Sequence, residues 1–169
     1  MVGQDIALLL KICLFEGPKI LSKKLADELF LSPAEISNSL KRSKDSGLLY
    51  WSDLEKRVNR SALLDFLAYG LRHVFPPKRG DLVRGVPTAT AAEPLKSHFV
   101  DNGEPPPVWP YAEGTVRGLS FSPLYKGAPK AALLDPRLYE LLVLCDGIRS
   151  GRTRERMLAV ELLRKALNA

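Results

Sequence analysis

Two helical patterns joined by only about three residues constrain this chain more than any other feature. Leu25, Ala26 and Leu29 recur at helical spacing, and Ser22 is placed to cap that helix. Ser32 is placed to cap a second helix, with Pro33 in its first turn, where the missing N–H would have had no partner anyway. A link this short forces the helices to cross steeply, as in a helix-turn-helix. On the second helix Ile36 and Leu40 share one face and leave Ser37, Asn38, Lys41 and Lys44 on others, and Gly47 supplies the stop. The following Leu48–Trp51 is strand-like, and Val58–Arg60 can return antiparallel to it. Lys19–Arg60 therefore reads as two helices, a tight turn and a β-ribbon. Leu49 and Trp51 fall on one side of the ribbon, Leu48 and Tyr50 on the other.

Around this stretch the sequence predicts further helices. One covers residues 5–16, with Asp5 near its start and Ile6, Leu9, Leu10, Cys13 and Leu14 as a wide apolar face, stopped by Gly17-Pro18. Another runs from a Ser61 cap to about Phe75, carrying Leu63, Leu64, Phe66, Leu67, Leu71 and Val74. Near the end, Asp135 caps a helix with Leu138, Leu141, Leu142 and Cys145 inward. A break at Ser150-Gly151 precedes a last helix that starts by Thr153 and carries Met157, Val160, Leu163 and Leu167. Between these groups the composition changes: nine of the thirteen prolines lie in residues 76–123. Apolar residues such as Val86, Trp109, Val116 and Phe121 argue against disorder there. The expectation is an ordered, irregular segment laid over helices, with a short helix in Ala89–Phe99 and a strand in Thr115–Phe121. Arg84-Gly85 and Arg117-Gly118 read as exposed loop arginines beside turn glycines, with a paired phosphate site as the alternative. The fold class is mainly α with a small β-wing. The chain divides into residues 1–75 and 76–169, the second part serving dimerisation or partner binding.

Composition narrows the chemistry. The net charge of +6 suits a polyanionic partner, and the last 19 residues hold five basic and two acidic groups. No apolar run approaches the roughly 20 residues needed to cross a bilayer, and no basic n-region or cleavage site marks the start, so a cytoplasmic protein is expected. The two cysteines, Cys13 and Cys145, each sit within an apolar helix and read as small buried hydrophobes. Two histidines and no Cys or His cluster leave no metal site, and no cofactor is implied. Phosphate-binding, dinucleotide-binding, zinc-protease and serine-hydrolase motifs are all missing, so no enzyme activity is expected.

LADELFLSPAEISNSLKRSKDSGLL resembles the helix-turn-helix and wing entry of MarR-like winged-helix transcriptional regulators, across roughly the first 75 residues. Leu25, Ala26, Leu29, Ser32, Pro33, Ile36, Ser37, Leu40, Lys41, Gly47 and Leu48 carry the match. Phe30 stands where such motifs usually have glycine, and Ser43 where a large apolar side chain is common. VNRSALLDFLAYGLRHVFP, RGVPTA and LYELLVLCDGIRSGRTRER are similar to a group of bacterial winged-helix proteins. The resemblance implies a sequence-specific DNA-binding regulator, a repressor or autoregulator, acting on double-stranded DNA as a homodimer.

On that reading the second helix enters the major groove. Asn38 can pair bidentately with adenine, Ser37 can reach a base or phosphate, and Lys41 guanine or phosphate. Arg42 and Lys44 are placed for backbone contacts. Ser32 and Ala34 complete the helix start. Lys56, Arg57 and Arg60 make the wing a phosphate contact, against Asp53 and Glu55 in its loop. Arg152, Arg154 and Arg156 form a possible second basic site, for DNA phosphates or an acidic partner, or pair internally with Glu155, Asp146 and Glu140. Two other readings stay open. One is an antitoxin-like protein whose C-terminal part masks a partner protein. The other is a winged-helix interaction module that binds no DNA.

Overall fold

In the computed structural model, residues 1–15, 17, 20–52 and 55–168 are described; Pro18, Lys19 and Asp53, named above, lie outside them. Helix α1 is Gly3–Cys13, starting earlier than the apolar pattern and ending before Gly17. The Val2 N–H donates to the Asp5 carboxylate at 2.8 Å, which secures the first turn. Ile6 to Leu10 are all fully buried, so this helix is enclosed on every side instead of presenting one apolar stripe.

Helices α2 (Ser22–Leu29) and α3 (Pro33–Asp45) follow. Ser22 is not the cap of α2: Leu21 occupies that position without a side-chain bond, and Ser22 is the first helical residue. Phe30 ends α2 in the left-handed region (φ 55°, ψ 44°), taking the conformation that glycine adopts most easily. The Leu31 N–H donates to the Ala26 carbonyl and the Tyr125 hydroxyl to the Leu29 carbonyl, so the turn is held from two sides. At α3 the expected cap forms: the Glu35 N–H donates to Ser32 Oγ, and the Ser32 N–H donates to the Glu35 carboxylate. Gly47, at φ 74°, follows the C-cap residue Ser46. Strands β1 (Leu49–Trp51) and β2 (Lys56–Val58) pair antiparallel, Tyr50 opposite Arg57.

Helix α4 (Arg60–Asp65) is capped by Asn59, whose side chain accepts from the Ala62 N–H; Ser61 lies inside the helix. A π-helical segment, Phe66–Gly70, carries the chain into α5 (Leu71–Val74). Val74, one of the apolar residues expected in this helix, is 52% exposed.

The proline-rich middle is more regular than its composition suggests. Strand β3 (Arg79–Pro87) pairs antiparallel with both β4 (Pro107–Pro110) and β5 (Val116–Phe121), and the start of β4 runs parallel to β5. Prolines stand at strand ends, where a missing donor is tolerated. Gly85 and Gly118 are strand residues, not turn glycines. A Cβ on Gly85 would lie 1.9 Å from the Trp109 carbonyl oxygen, and one on Gly118 would lie 2.0 Å from that of Pro106. Ala89–Phe99 contains two separate 3-10 turns, Ala89–Ala91 and Lys96–His98.

Helices α6 (Ala128–Leu134), α7 (Pro136–Ser150) and α8 (Thr153–Asn168) complete the chain. Asp135 caps α7 as expected, accepting from the N–H groups of Arg137 and Leu138. Met157 points outward, 67% exposed, while Leu163 and Leu167 are buried. The molecule is mainly helical, with two small sheets. One buried apolar cluster runs from Ile6 in α1 to Leu167 in α8. Lys11 of α1 joins distant elements, its Nζ lying 2.5 Å from Glu28 of α2 and 2.5 Å from Asp135. In α7, Asp146 is buried and accepts from Thr88 Oγ1 (2.7 Å), Trp109 Nε1 (2.7 Å) and Arg149 (2.6 Å). Arg149 donates onward to the carbonyls of Phe75 and Ser122, tying α7 to both ends of the sheet region. None of the described helices is long and apolar enough to cross a membrane.

Candidate nucleic-acid interface

The inner side of α3 is fixed by a charged contact buried against α1. Ile36, Ser39, Leu40 and Ser43 are all at most 1% exposed. Ser39 Oγ donates to Asp5 at 2.5 Å, and Arg42 donates through Nε (2.9 Å) and a terminal nitrogen (2.7 Å) to the same carboxylate. Burial alone would raise the Asp5 carboxyl; the bonds from Arg42, Ser39 and the Val2 N–H outweigh it and hold the group below its ordinary range. A planar bidentate pair fixes orientation as well as distance, so α3 cannot roll on α1 without breaking it.

The outer side follows from helical geometry. Ala34, Ser37, Asn38, Lys41 and Lys44 recur at intervals of three and four, so they line one stripe. All five are exposed. The side chains of Ser37, Asn38, Lys41 and Lys44 make no hydrogen bond or ion pair to any described residue. A short, capped, oriented helix thus presents donors and cations that the protein itself does not use.

The other expected contacts divide. Arg42 turns inward to Asp5, so it serves the α1–α3 junction and not the outer face. Arg60 is also engaged inside: its guanidinium donates to the Cys13 carbonyl at 3.0 Å and to that of Leu167, closing the end of α8 onto the end of α1. Lys56 donates to the Ile20 carbonyl at 3.1 Å and anchors the ribbon to the approach to α2. Ser32 Oγ is occupied by its cap. Arg57 remains outward: its side chain is 71% exposed, it lies 5.6 Å from the centre of the Tyr50 ring, and Glu55 is 3.4 Å away. The ring and guanidinium together form an exposed, cationic ribbon surface.

Arg152, Arg154 and Arg156 do not form the internal pairs considered for them. Asp146 is taken by Arg149, and Glu155 accepts the Arg152 backbone N–H at 2.8 Å, capping α8. Arg154 and Arg156 border a groove between the π-helical segment and α8, and no residue of α3 lines it. Arg84 and Arg117 face each other across β3 and β5, both exposed.

Cys13 and Cys145 are free thiols; burial pushes Cys13 up to about 11 and Cys145 higher still, which leaves them unreactive near neutrality. Among the described residues no group of His, Cys, Asp and Glu is arranged to hold a metal ion. Sequence reasoning missed the Asp5–Ser39–Arg42 contact; its one visible signal is a carboxylate at the head of a mostly apolar helix. No protein-family model matches the chain, and neither a curated protein nor a solved structure matches it.

Proposed function

We propose that this protein is a winged-helix, sequence-specific regulator of transcription that binds double-stranded DNA, with α3 in the major groove. The observation that carries the reading is the exposed stripe of Ser37, Asn38, Lys41 and Lys44, unused internally and borne on a helix whose orientation Asp5 fixes through Ser39 and Arg42. Asn38 and Ser37 have the donors and acceptors to read base edges, Lys41 reaches guanine or phosphate, and Lys44 lies one turn further along for the backbone. Tyr50 and Arg57 would follow the phosphates beside the groove. Homodimerisation would place two copies of α3 on half-sites about one helical turn apart, supplying the affinity one short helix lacks.

Selection of random duplexes by the purified protein, followed by gel shift on the enriched sequence, tests the reading. Asn38→Ala should relax preference at one base pair, costing about 1–3 kcal/mol on the enriched site and little on other DNA. Lys44→Ala should weaken all duplexes alike and flatten the salt dependence by roughly one counterion. If no duplex is enriched at low salt, or if both variants bind like wild type, the reading is wrong.

A further inference from the structure

The Phe66–Gly70 π-helical segment and α8 line a groove of about 760 Å³ that shares no residue with the α3 stripe. Its apolar lining includes Tyr69, Phe99, Met157 and Val160. Tyr69 is 75% exposed and Met157 67%, so two large side chains stand in water where the core offers no cover. Two residues of the π-helical segment, Ala68 and Tyr69, line the groove. The extra residue of a π turn shifts side chains around the helix axis, and such turns recur at functional positions. Gly70 accommodates the turn, since a Cβ there would meet the Phe66 ring at 3.0 Å.

The charge around this apolar strip is one-sided. Arg154, Arg156 and Arg164 all line it, and among described residues none of them forms an ion pair. The only carboxylate in the lining, Glu161, is held by Lys165 at 2.7 Å. A second copy of the chain seated symmetrically would bring its own arginines against these, so self-association here is opposed by charge. An apolar strip on a helix, flanked by unpaired guanidiniums, matches an amphipathic helix with a Leu- or Phe-type stripe and Asp or Glu on its flanks. We propose that this groove docks an acidic amphipathic helix of a partner protein, with Met157 and Tyr69 gripping its apolar side chains and Arg154, Arg156 and Arg164 its carboxylates. The site lies outside the α3 stripe and stands or falls independently of DNA binding.

The probe is a displayed library of random peptides about 16 residues long, selected against the full chain. Enriched peptides are then synthesised and measured by fluorescence anisotropy. The expected result is enrichment of peptides with apolar residues at i, i+3 or i+4, and i+7, and net negative charge. Met157→Glu, and separately Arg154→Glu with Arg156→Glu, should weaken them by about tenfold or more, with affinity falling as salt rises. These side chains are exposed or at the groove edge, and an unchanged thermal midpoint shows that the variants remain folded. Met157→Ala, which removes the grip without adding charge, should weaken binding less than Met157→Glu. Enrichment of basic or non-amphipathic peptides, or binding indifferent to these substitutions, overturns the proposal. So does sedimentation showing a dimer that Met157→Glu dissociates, because a second copy would then own the groove. Loss of duplex affinity in the double arginine variant with peptide binding intact would assign the arginines to DNA and overturn it as well.

Discussion

Ser43 is the one buried side chain, among the described residues, whose polar atom has no partner: its Oγ is enclosed on the inner face of α3. The hydroxyl is a desolvated group left unpaired. Removing it costs no contact with another polar atom. Ser43→Ala should therefore stabilise the protein by about 1 kcal/mol, read as a higher urea midpoint at unchanged slope. Asp5, 34 residues before Ser39 in the chain but beside it in space, is the opposite case. Its carboxyl lies below the ordinary value of 3.8 in the folded protein, so it contributes stability that is full above that value. That contribution disappears as pH falls through the folded value. Asp5→Asn should cost about 2 kcal/mol at pH 7, less than for a fully enclosed pair because the Arg42 side chain is 33% exposed. Denaturation of both proteins from pH 7 to pH 2 should show the gap closing below about pH 4. A gap that stays constant would mean that Asp5 acts by shape and not by charge.

At the scale of elements, what could be read from the sequence depended on whether one periodicity dominated. α3 was legible down to its cap and its glycine stop, and so was its exposed stripe, because Ile36 and Leu40 fix which way the helix faces. Arg42 was not legible as an inward residue: its place on the helix edge permits either direction, and the deciding partner lies 37 residues away. Arg60 is hidden for the same reason, its acceptors lying at the far ends of α1 and α8. β3 escaped because most of Arg79–Arg84 is exposed, so no alternation of apolar and polar residues marks it. The real signature of the β3–β5 pair is the two Arg-Gly steps, Arg84-Gly85 on one strand and Arg117-Gly118 on the other, which look like turns. Each glycine is instead where a neighbouring segment's carbonyl, Trp109 for Gly85 and Pro106 for Gly118, passes too close for any side chain. Gly118→Ala should consequently open the β4–β5 contact and destabilise the fold by about 3 kcal/mol or more, since the obstacle is backbone and cannot swing away. The change should appear as faster amide exchange at Leu119, whose N–H donates to the Pro106 carbonyl. Exchange at Leu119 equal to wild type would show that the sheet has room to yield.

At the scale of the molecule, α1 decides how the two ends of the chain relate. It is buried all round, between α3 on one side and α7 on another, and it carries Lys11 into contact with both Glu28 and Asp135. The half that carries α3 and the C-terminal helices therefore share a core, and the surface that α1 turns toward α7 would be bare apolar area if residues 76–169 were removed. The described structure provides a tryptophan in each half: Trp51 half-buried in the β1–β2 ribbon, and Trp109 buried on β4 with its N–H on Asp146. In Trp51→Phe, fluorescence excited at the red edge, where tyrosine does not absorb, reports on Trp109 alone, while far-ultraviolet circular dichroism follows the helices throughout. The two urea transitions should coincide, as expected for a single cooperative unit. A fragment of residues 1–75 should in parallel fail to give a cooperative transition, because α1 loses its partner α7 and Lys11 loses Asp135. Separate midpoints in the full chain, or a fragment that melts cooperatively on its own, would mean that α1 is stabilised sufficiently by α2 and α3. The exposed face of α3 would then be able to move independently of the groove on α8. Coincident transitions carry the converse: a helix docked in that groove would raise the stability of the whole molecule, α3 included, by mass action.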